Sequence, residues 1–245
     1  MKKYINNESG STHLVMIVIL LASVFLCFIF FDLFTGFMNK RVSQSSADAS
    51  VLAASTEMKD AYEDELLEDI KEELDKLEEE VDKKLEEDLE EEGEDEGNGE
   101  EQENSEPDED ELKDIYQKIL EGIYDEDPPE GLVEWLIDNE YELNPNKILT
   151  YIFEEDEINS KICSAINNNR NEIKEAAQYY ADKNGAEGEI ELKFPYEDEF
   201  KVFVKVKTEA SFSTVDASQM GENNDVYAEA SAQVKSPVGV DIDCD

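Results

Sequence analysis

The sequence predicts an α+β protein. A transmembrane helix continues into an acidic helical stalk, and an outer domain of helices followed by about three antiparallel strands comes next. Three observations carry this prediction. Residues 14–38 form an apolar run, residues 57–92 place leucines at helical spacing among acidic side chains, and the hydrophobic period changes to two after Gly185.

The boundaries follow from changes in composition along the chain. They divide the chain into five segments: an N-terminal tail 1–13, a transmembrane helix 14–38, a membrane-proximal helix and acidic amphipathic stalk 39–92, an acidic disordered linker 93–106, and an α+β domain 107–245.

The apolar run is long enough to cross a bilayer. A helix from Leu14 to Met38 would measure about 37 Å at about 1.5 Å per residue, and the hydrocarbon core is about 30 Å thick. A cleaved signal sequence has a core of only about 7–15 apolar residues, so we expect a retained span. Asp32 interrupts the run, and it would either pair with a partner subunit or reach the interfacial water.

The charge of the chain excludes several classes of function. Asp and Glu number 65 against 21 Lys and Arg, which gives a net charge of −44. Such a chain lacks the basic surface that nucleic acids require, and its total charge opposes docking on anionic headgroups. His13 is the one histidine, which excludes histidine-dependent triads and zinc sites with two histidines.

The spacing of the three cysteines fits no metal or redox motif, so we expect no cofactor and no bound metal. Cys163 and Cys244 are disulfide candidates, and their bond would tie the C-terminal tail to a helix. Cys27 lies in the apolar run and is expected to pack as an apolar residue.

A family resemblance begins at the N-terminus. Glu8-Ser9-Gly10 precedes the apolar run, Asp32 lies near the end of the run, and an alanine-rich segment follows it. This order resembles the Flp/Tad pilus assembly proteins of the TadE/TadG-like type over about residues 8–58. The residues that match the family segment are Gln44, Ala47, Asp48, Ala49, Leu52, Ala53 and Ala54.

The resemblance implies a cytoplasmic N-terminus and an extracytoplasmic C-terminal domain in a single-pass membrane protein. The lysines and arginines beside the span number two at each end and leave the orientation open. Prepilin-type cleavage would fall between Gly10 and Ser11. Pilin-like members carry a glutamate where this chain has Val15, so the chain is more similar to the TadG-like branch.

Small residues predict an association face beyond the span. Ala47, Val51, Ala54 and Met58 recur at spacings of 4, 3 and 4 and therefore share one side of a helix. A stripe of small residues permits close helix packing. Either neighbouring subunits or the chain's own domain would cover it.

The acidic stretch from Glu57 to Glu92 carries a second stripe, which is too short and irregular to secure a coiled coil. Its apolar residues are Leu67, Ile70, Leu74, Leu77, Val81, Leu85 and Leu89. Another copy or the C-terminal domain must cover them. The following linker contains Gly97-Asn98-Gly99 and almost no apolar residue, which is typical of disorder.

The last 140 residues predict helices and then strands. Ser105 and Asp108 resemble a capping box before a helix with apolar residues from Leu112 to Ile123. Further helices are predicted around Trp135, from Asn144 to about Phe153, and from Ile158 to Tyr180 as one helix or two. The alternating runs 190–194, 200–206 and 226–234 predict three strands, each with one buried face.

Lys201, Lys205 and Lys207 form a basic cluster on the second predicted strand. They would either meet the acidic helix of a neighbouring copy or form the hydrated face of the sheet.

The first hypothesis is a non-enzymatic, membrane-anchored component of a Tad or type IV-like filament or its export platform, either a minor pilin-like subunit or an assembly factor. Its expected partners are other pilus-assembly or pilin-like membrane proteins, with self-association possible in principle. The alternatives are a membrane-tethered acidic binding module unrelated to pili, and an exported hydrolase using two carboxylates. No carboxylate pair stands out for the hydrolase.

Overall fold

A computed structural model describes residues 8–95, 109–138, 141–209 and 225–244, with side chains from 12–87, 111–138, 141–209 and 225–244. It contains six α-helices and three β-strands within these ranges. They are α1 (Glu8–Asp95), α2 (Glu109–Tyr124), α3 (Leu132–Ile137), α4 (Pro145–Ile152), α5 (Glu155–Asn168), α6 (Arg170–Lys183), β1 (Glu191–Lys193), β2 (Lys201–Glu209) and β3 (Asp225–Gln233).

The chain folds into two compact units, and α1 contributes residues to both. The first unit comprises residues 1–55, 172–197 and 201–233, and the second comprises 56–171, 198–200 and 234–245. The predicted boundary near residue 107 therefore does not separate two compact units. The physical reason is that later elements of the chain bury the apolar stripe of α1.

The first unit contains the predicted antiparallel sheet, in the order β1-β2-β3. Leu192 pairs with Val204, which pairs in turn with Ala230. Val202, Val204 and Val206 are buried as the alternation predicts. The three-stranded prediction is confirmed.

Phe203 departs from the predicted alternation, because it is buried on the face assigned to solvent. Its ring stacks on Tyr196, with 4.6 Å between the ring centroids. A turn residue therefore covers this aromatic side chain, which the alternation of the strand alone does not reveal.

Helix α6 of the first unit buries three residues at spacings of four, namely Ile173, Ala177 and Ala181. It ends at Lys183, directly before Asn184 and Gly185. Gly185 has a φ of 90°, the left-handed conformation that terminates many helices, so glycine suits this position.

The second unit has a helical core. Its largest fully buried side chains come from five helices: Met58, Tyr62, Val81, Leu120, Leu132, Ile148, Ile158 and Ile162. In α1, Leu66 is 4% exposed whereas Leu67 is 43% exposed. The prediction that Leu67 belongs to the buried stripe is therefore wrong, because the helix turns Leu66 inward.

Local sequence explains the helix boundaries in this unit. The Asn144 side chain accepts hydrogen bonds from the backbone N–H groups of Asn146 and Lys147, at 3.1 and 3.4 Å, and Pro145 follows as the first helical residue. Helices α5 and α6 are separate, with Asn169 between them. Its side-chain amide donates to the Ala165 carbonyl at 2.9 Å.

Helix α1 extends into the first three residues of the predicted linker. Helix α1 continues through Asp95, so residues 93–95 are helical in place of disordered. Glutamates favour the helical backbone there despite Gly93. Residues 96–106 and the proposed capping box at Ser105 and Asp108 lie outside the described residues.

Candidate functional site

The apolar part of α1 is long and hydrophobic enough to cross a membrane. An 18-residue window has a mean hydropathy of 3.2, and none of it is buried by the rest of the described chain. Polar side chains in this part bond to carbonyls of their own helix. Ser23 donates to Leu20 at 2.8 Å and Thr35 to Phe31 at 3.0 Å, which suits a helix in lipid.

Asp32 lies on α1 with a partly exposed side chain. Gly10 and Ser11 lie in the first turns of α1, and their side chains are outside the described part of the chain. The structure therefore does not distinguish the alternatives for Asp32. Cleavage after Gly10 stays a prediction.

The predicted association face is covered by the chain itself. Ala47 and Ala54 are completely buried, and Val51 is buried with them in the first unit. Met58 is buried in the core of the second unit. This burial matches the second alternative, in which the chain's own residues cover the stripe, and it leaves the four side chains unavailable to a partner.

Three serines that the sequence analysis missed hold this face in place. The Ser43 hydroxyl donates to the Val226 carbonyl of β3 at 3.3 Å. Ser46 and Ser50 donate to carbonyls of α6, at Ala181 (2.9 Å) and Ala177 (3.0 Å). These serines recur at spacings of three and four, as the alanine stripe does. A buried helical face could therefore have been predicted by counting serine and alanine together as small residues.

Three further residues of the family-like segment lie outside the buried stripe of α1, and the Gln44 amide donates to the Glu229 carbonyl of β3 at 3.4 Å. Gln44, Asp48 and Leu52 are exposed at spacings of four, and Leu52 has 60% of its surface exposed. The Gln44 amide donates to the Asp48 carboxylate at 2.9 Å. Ala49 and Ala53 are partly exposed between the two faces. This side of the segment is accessible to another molecule.

The acidic part of α1 is packed into the second unit. Its buried stripe runs through Leu66, Ile70, Leu74, Leu77 and Val81, and Leu85 is partly buried, while the Leu89 side chain lies outside the described residues. The predicted stalk is therefore part of a folded body, because helices of the same unit cover its apolar stripe.

An ion pair joins this part of α1 to α5. The Lys161 ammonium lies 2.8 Å from the Asp69 carboxylate, and both side chains are about three-quarters buried. The hydrogen bond to Asp69 raises the pKa of Lys161 above its usual value. Lys161 also lies 5.0 Å from the centroid of the Phe153 ring.

The C-terminal tail is fastened to α5. The sulfur atoms of Cys163 and Cys244 are 1.96 Å apart, which is a disulfide. The Asn159 side chain adds two hydrogen bonds to the backbone of Asp243, donating to its carbonyl at 2.7 Å and accepting from its N–H at 3.0 Å. Val240 and Ile242 of the tail are buried. Cys27 stays free and exposed on α1.

The sheet lysines are paired within the chain. Lys205 lies 2.9 Å from Glu229 and Lys207 lies 3.0 Å from Asp225, both across the β2–β3 pair. Lys201 lies 2.9 Å from Glu197. This arrangement matches a hydrated sheet face whose charges are already balanced.

The described part of the second unit contains an apolar groove and an acidic depression. A groove of about 220 Å³ is lined mainly by apolar residues, including Tyr62, Leu66, Leu149 and Pro237. An open depression of about 620 Å³ is lined by Glu121, Asp125, Glu126 and Asp127. Among the described residues, no group of three or more His, Cys, Asp or Glu side chains is arranged to hold a metal ion.

Comparisons with protein-family models, with curated proteins and with solved structures find no match to this chain.

Proposed function

We propose that this chain is a non-enzymatic, membrane-anchored component of a Tad or type IV-like surface filament or of its export platform. It would act as a minor pilin-like subunit or an assembly factor. The observation that carries the proposal is the continuity of α1. The apolar run passes without a break into the segment that resembles the TadE/TadG-like proteins, and the exposed side of that segment is available to partners.

The disulfide supports the proposed orientation. Disulfides persist in oxidising compartments and are rare in the cytosol. A Cys163–Cys244 bond in the second unit, together with a single span, therefore supports the proposal that residues 39–245 are outside the cytoplasm and the N-terminus is inside. This is the same orientation that the family resemblance implies.

We infer a contact face on the part of α1 that the chain does not bury. Because Ala47 and Ala54 are buried, a pilin-like partner would contact α1 through Gln44, Asp48 and Leu52. A stripe with one amide, one carboxylate and one leucine offers a small apolar contact with a polar rim, which is typical of subunit interfaces.

Site-specific photo-crosslinking tests this proposal. A benzophenone side chain at Leu52 is expected to crosslink to other pilin-like membrane proteins in native membranes. The matched control is the same substitution at Glu68, an exposed residue of α1 that does not line the groove of the second unit. Partner bands at both positions or at neither would contradict the proposed face, and partners unrelated to filament assembly would contradict the function.

The apolar groove of the second unit favours a second candidate, a membrane-tethered binding module. Chains isolated from membranes would then carry a ligand in this groove and show no filament proteins crosslinked at Leu52. Leu149→Trp, which fills the groove, would remove the ligand without altering membrane attachment.

A further inference from the structure

The contacts of α6 with α1 determine which end of the first unit lies nearest the membrane. Ser50 bonds to Ala177 and Ser46 bonds to Ala181, so the two helices run in opposite directions. The C-terminal end of α6 therefore points toward the apolar run of α1. A Cβ added at Gly185 would lie 3.1 Å from Cγ1 of Val42, which extends the contact closer to the run.

The position of Val42 places this end of α6 at the depth of the lipid headgroups. Val42 lies four residues after Met38, or about 6 Å along the helix axis at about 1.5 Å per residue. Each headgroup layer extends about 5–7 Å beyond the hydrocarbon core. The turn at Gly185, which contacts Val42, is therefore at the outer limit of the headgroup layer.

The charges near this end differ from those of the chain as a whole. Between Met38 and Glu57, α1 carries the bases Lys40 and Arg41 and the single acid Asp48. The turn itself contributes exposed Lys183 and exposed Glu187. The residue before the turn and the adjacent ends of β2 and β3 add Asp182, Lys207, Glu209 and Asp225. Among the described residues, bases and acids are therefore equal in number at this end, although the chain carries −44.

Two neighbouring side chains are of types that are common at the membrane interface. Tyr179 is exposed, and the Lys183 ammonium lies 5.2 Å from the centroid of its ring. Tyrosine and lysine are common where proteins meet the membrane interface. The Asp182 carboxylate accepts a hydrogen bond from Gln178 at 2.7 Å, and the Lys183 ammonium donates one to the Tyr179 hydroxyl at 3.2 Å, so both side chains contact the preceding turn of α6.

We propose that the membrane-facing turn, defined as residues 183–187, rests with Lys40 and Arg41 on the phosphate groups of the lipid leaflet from which α1 emerges. This inference rests on the proposed membrane span. It names a second contact between the chain and the bilayer, made by the folded first unit. The contact would restrain the orientation of that unit and leave the opposite end of α6 away from the lipid.

Fluorescence quenching in lipid vesicles tests the contact with the full-length chain. Cys27→Ser first removes the free thiol, and a fluorophore is then attached at Glu187→Cys in the turn. The matched control is Glu172→Cys, an exposed glutamate near the other end of α6. The vesicles contain phosphatidylcholine and phosphatidylglycerol, with a spin label on the lipid headgroup.

We expect severalfold stronger quenching at residue 187 than at residue 172. Lys183→Gln should weaken the quenching at 187. Equal quenching at the two positions would overturn the proposed contact. A third sample separates this failure from failure of the span, because a fluorophore on the native Cys27 should be quenched by lipids labelled in the acyl chain. Absence of quenching at Cys27 would overturn both proposals.

Discussion

Two parts of the same helix differ in how they use apolar residues. The run 14–38 is mostly apolar and contains an 18-residue window with no buried residue, whereas the part from Ser43 to Val81 carries one stripe of residues that are buried throughout. A helix that is apolar all round suits lipid, and a striped helix suits a protein core. The comparison shows that one continuous helix can pass from a part suited to lipid to a part suited to a protein core within about two turns.

The largest expected effect comes from charging the first part. Leu20→Arg together with Leu26→Arg should prevent membrane insertion, because each arginine near the middle of a span costs about 2.5–3.5 kcal/mol. Carbonate-washed membranes would retain the native chain and lose the variant. The control Leu67→Arg should stay in the membrane, and retention of the double variant would show that 14–38 is not the anchor.

The disulfide should give the next largest effect. Cys244→Ser opens a bond that spans 81 residues and should lower the free energy of unfolding by roughly 4 kcal/mol. Denaturant unfolding in detergent micelles under non-reducing conditions measures it. Cys27→Ser should leave the free energy unchanged, and similar values for the two variants would rule out a stabilising role for the bond.

Adjacent leucines test the buried stripe directly. Leu66→Ala should destabilise the second unit by about 2–5 kcal/mol, because it leaves a cavity in the core. Leu67→Ala removes a largely exposed side chain and should cost less than about 1 kcal/mol. Chemical denaturation measures the loss of unfolding free energy in each variant. A larger loss for Leu67→Ala than for Leu66→Ala would support the sequence-based assignment of Leu67 to the buried stripe.

A smaller effect is expected at the serines. Ser50→Ala removes a buried hydrogen bond to the Ala177 carbonyl and should cost about 1 kcal/mol. The Ser55 hydroxyl donates to Leu52 within its own helix, so Ser55→Ala should change stability by less than about 0.5 kcal/mol. Equal losses, measured by thermal unfolding, would argue against a specific role for Ser50.

Alkaline pH should also lower the stability of the second unit. Burial raises the pKa of Tyr151 to about 12 from its usual value near 10. The neutral phenol therefore contributes stability that is fully present below pH 10 and is lost as the pH rises toward 12. Tyr151→Phe should flatten the pH dependence of the unfolding free energy in this window. An unchanged slope would show that ionisation of Tyr151 does not cause the loss of stability.

The long periodic elements could be predicted from the sequence because each depends on local pattern alone. The apolar run and the alternation around Val202 and Val204 are of this kind. The choice between Leu66 and Leu67 could not be read in the same way. Both neighbours are leucine, and small differences in helical phase accumulate along α1, so only the packed neighbours determine which side chain turns inward.

The candidate site was less predictable for a related reason. The stripe at Ala47 and Ala54 was recognised, but small residues fit a subunit interface and an internal contact equally well. The hydroxyls of Ser46 and Ser50 donate hydrogen bonds to α6, more than 120 residues away in sequence, and these bonds are part of an internal contact. Such long-range pairing depends on the tertiary fold.

The most direct test of this account is the intact mass of the native chain from membranes, alkylated before and after reduction. We predict one alkyl group at Cys27 without reduction and three after it, because Cys163 and Cys244 are bonded to each other and the proposed orientation puts them outside the cytoplasm. Three groups without reduction would place these cysteines in a reducing compartment and contradict the proposed orientation.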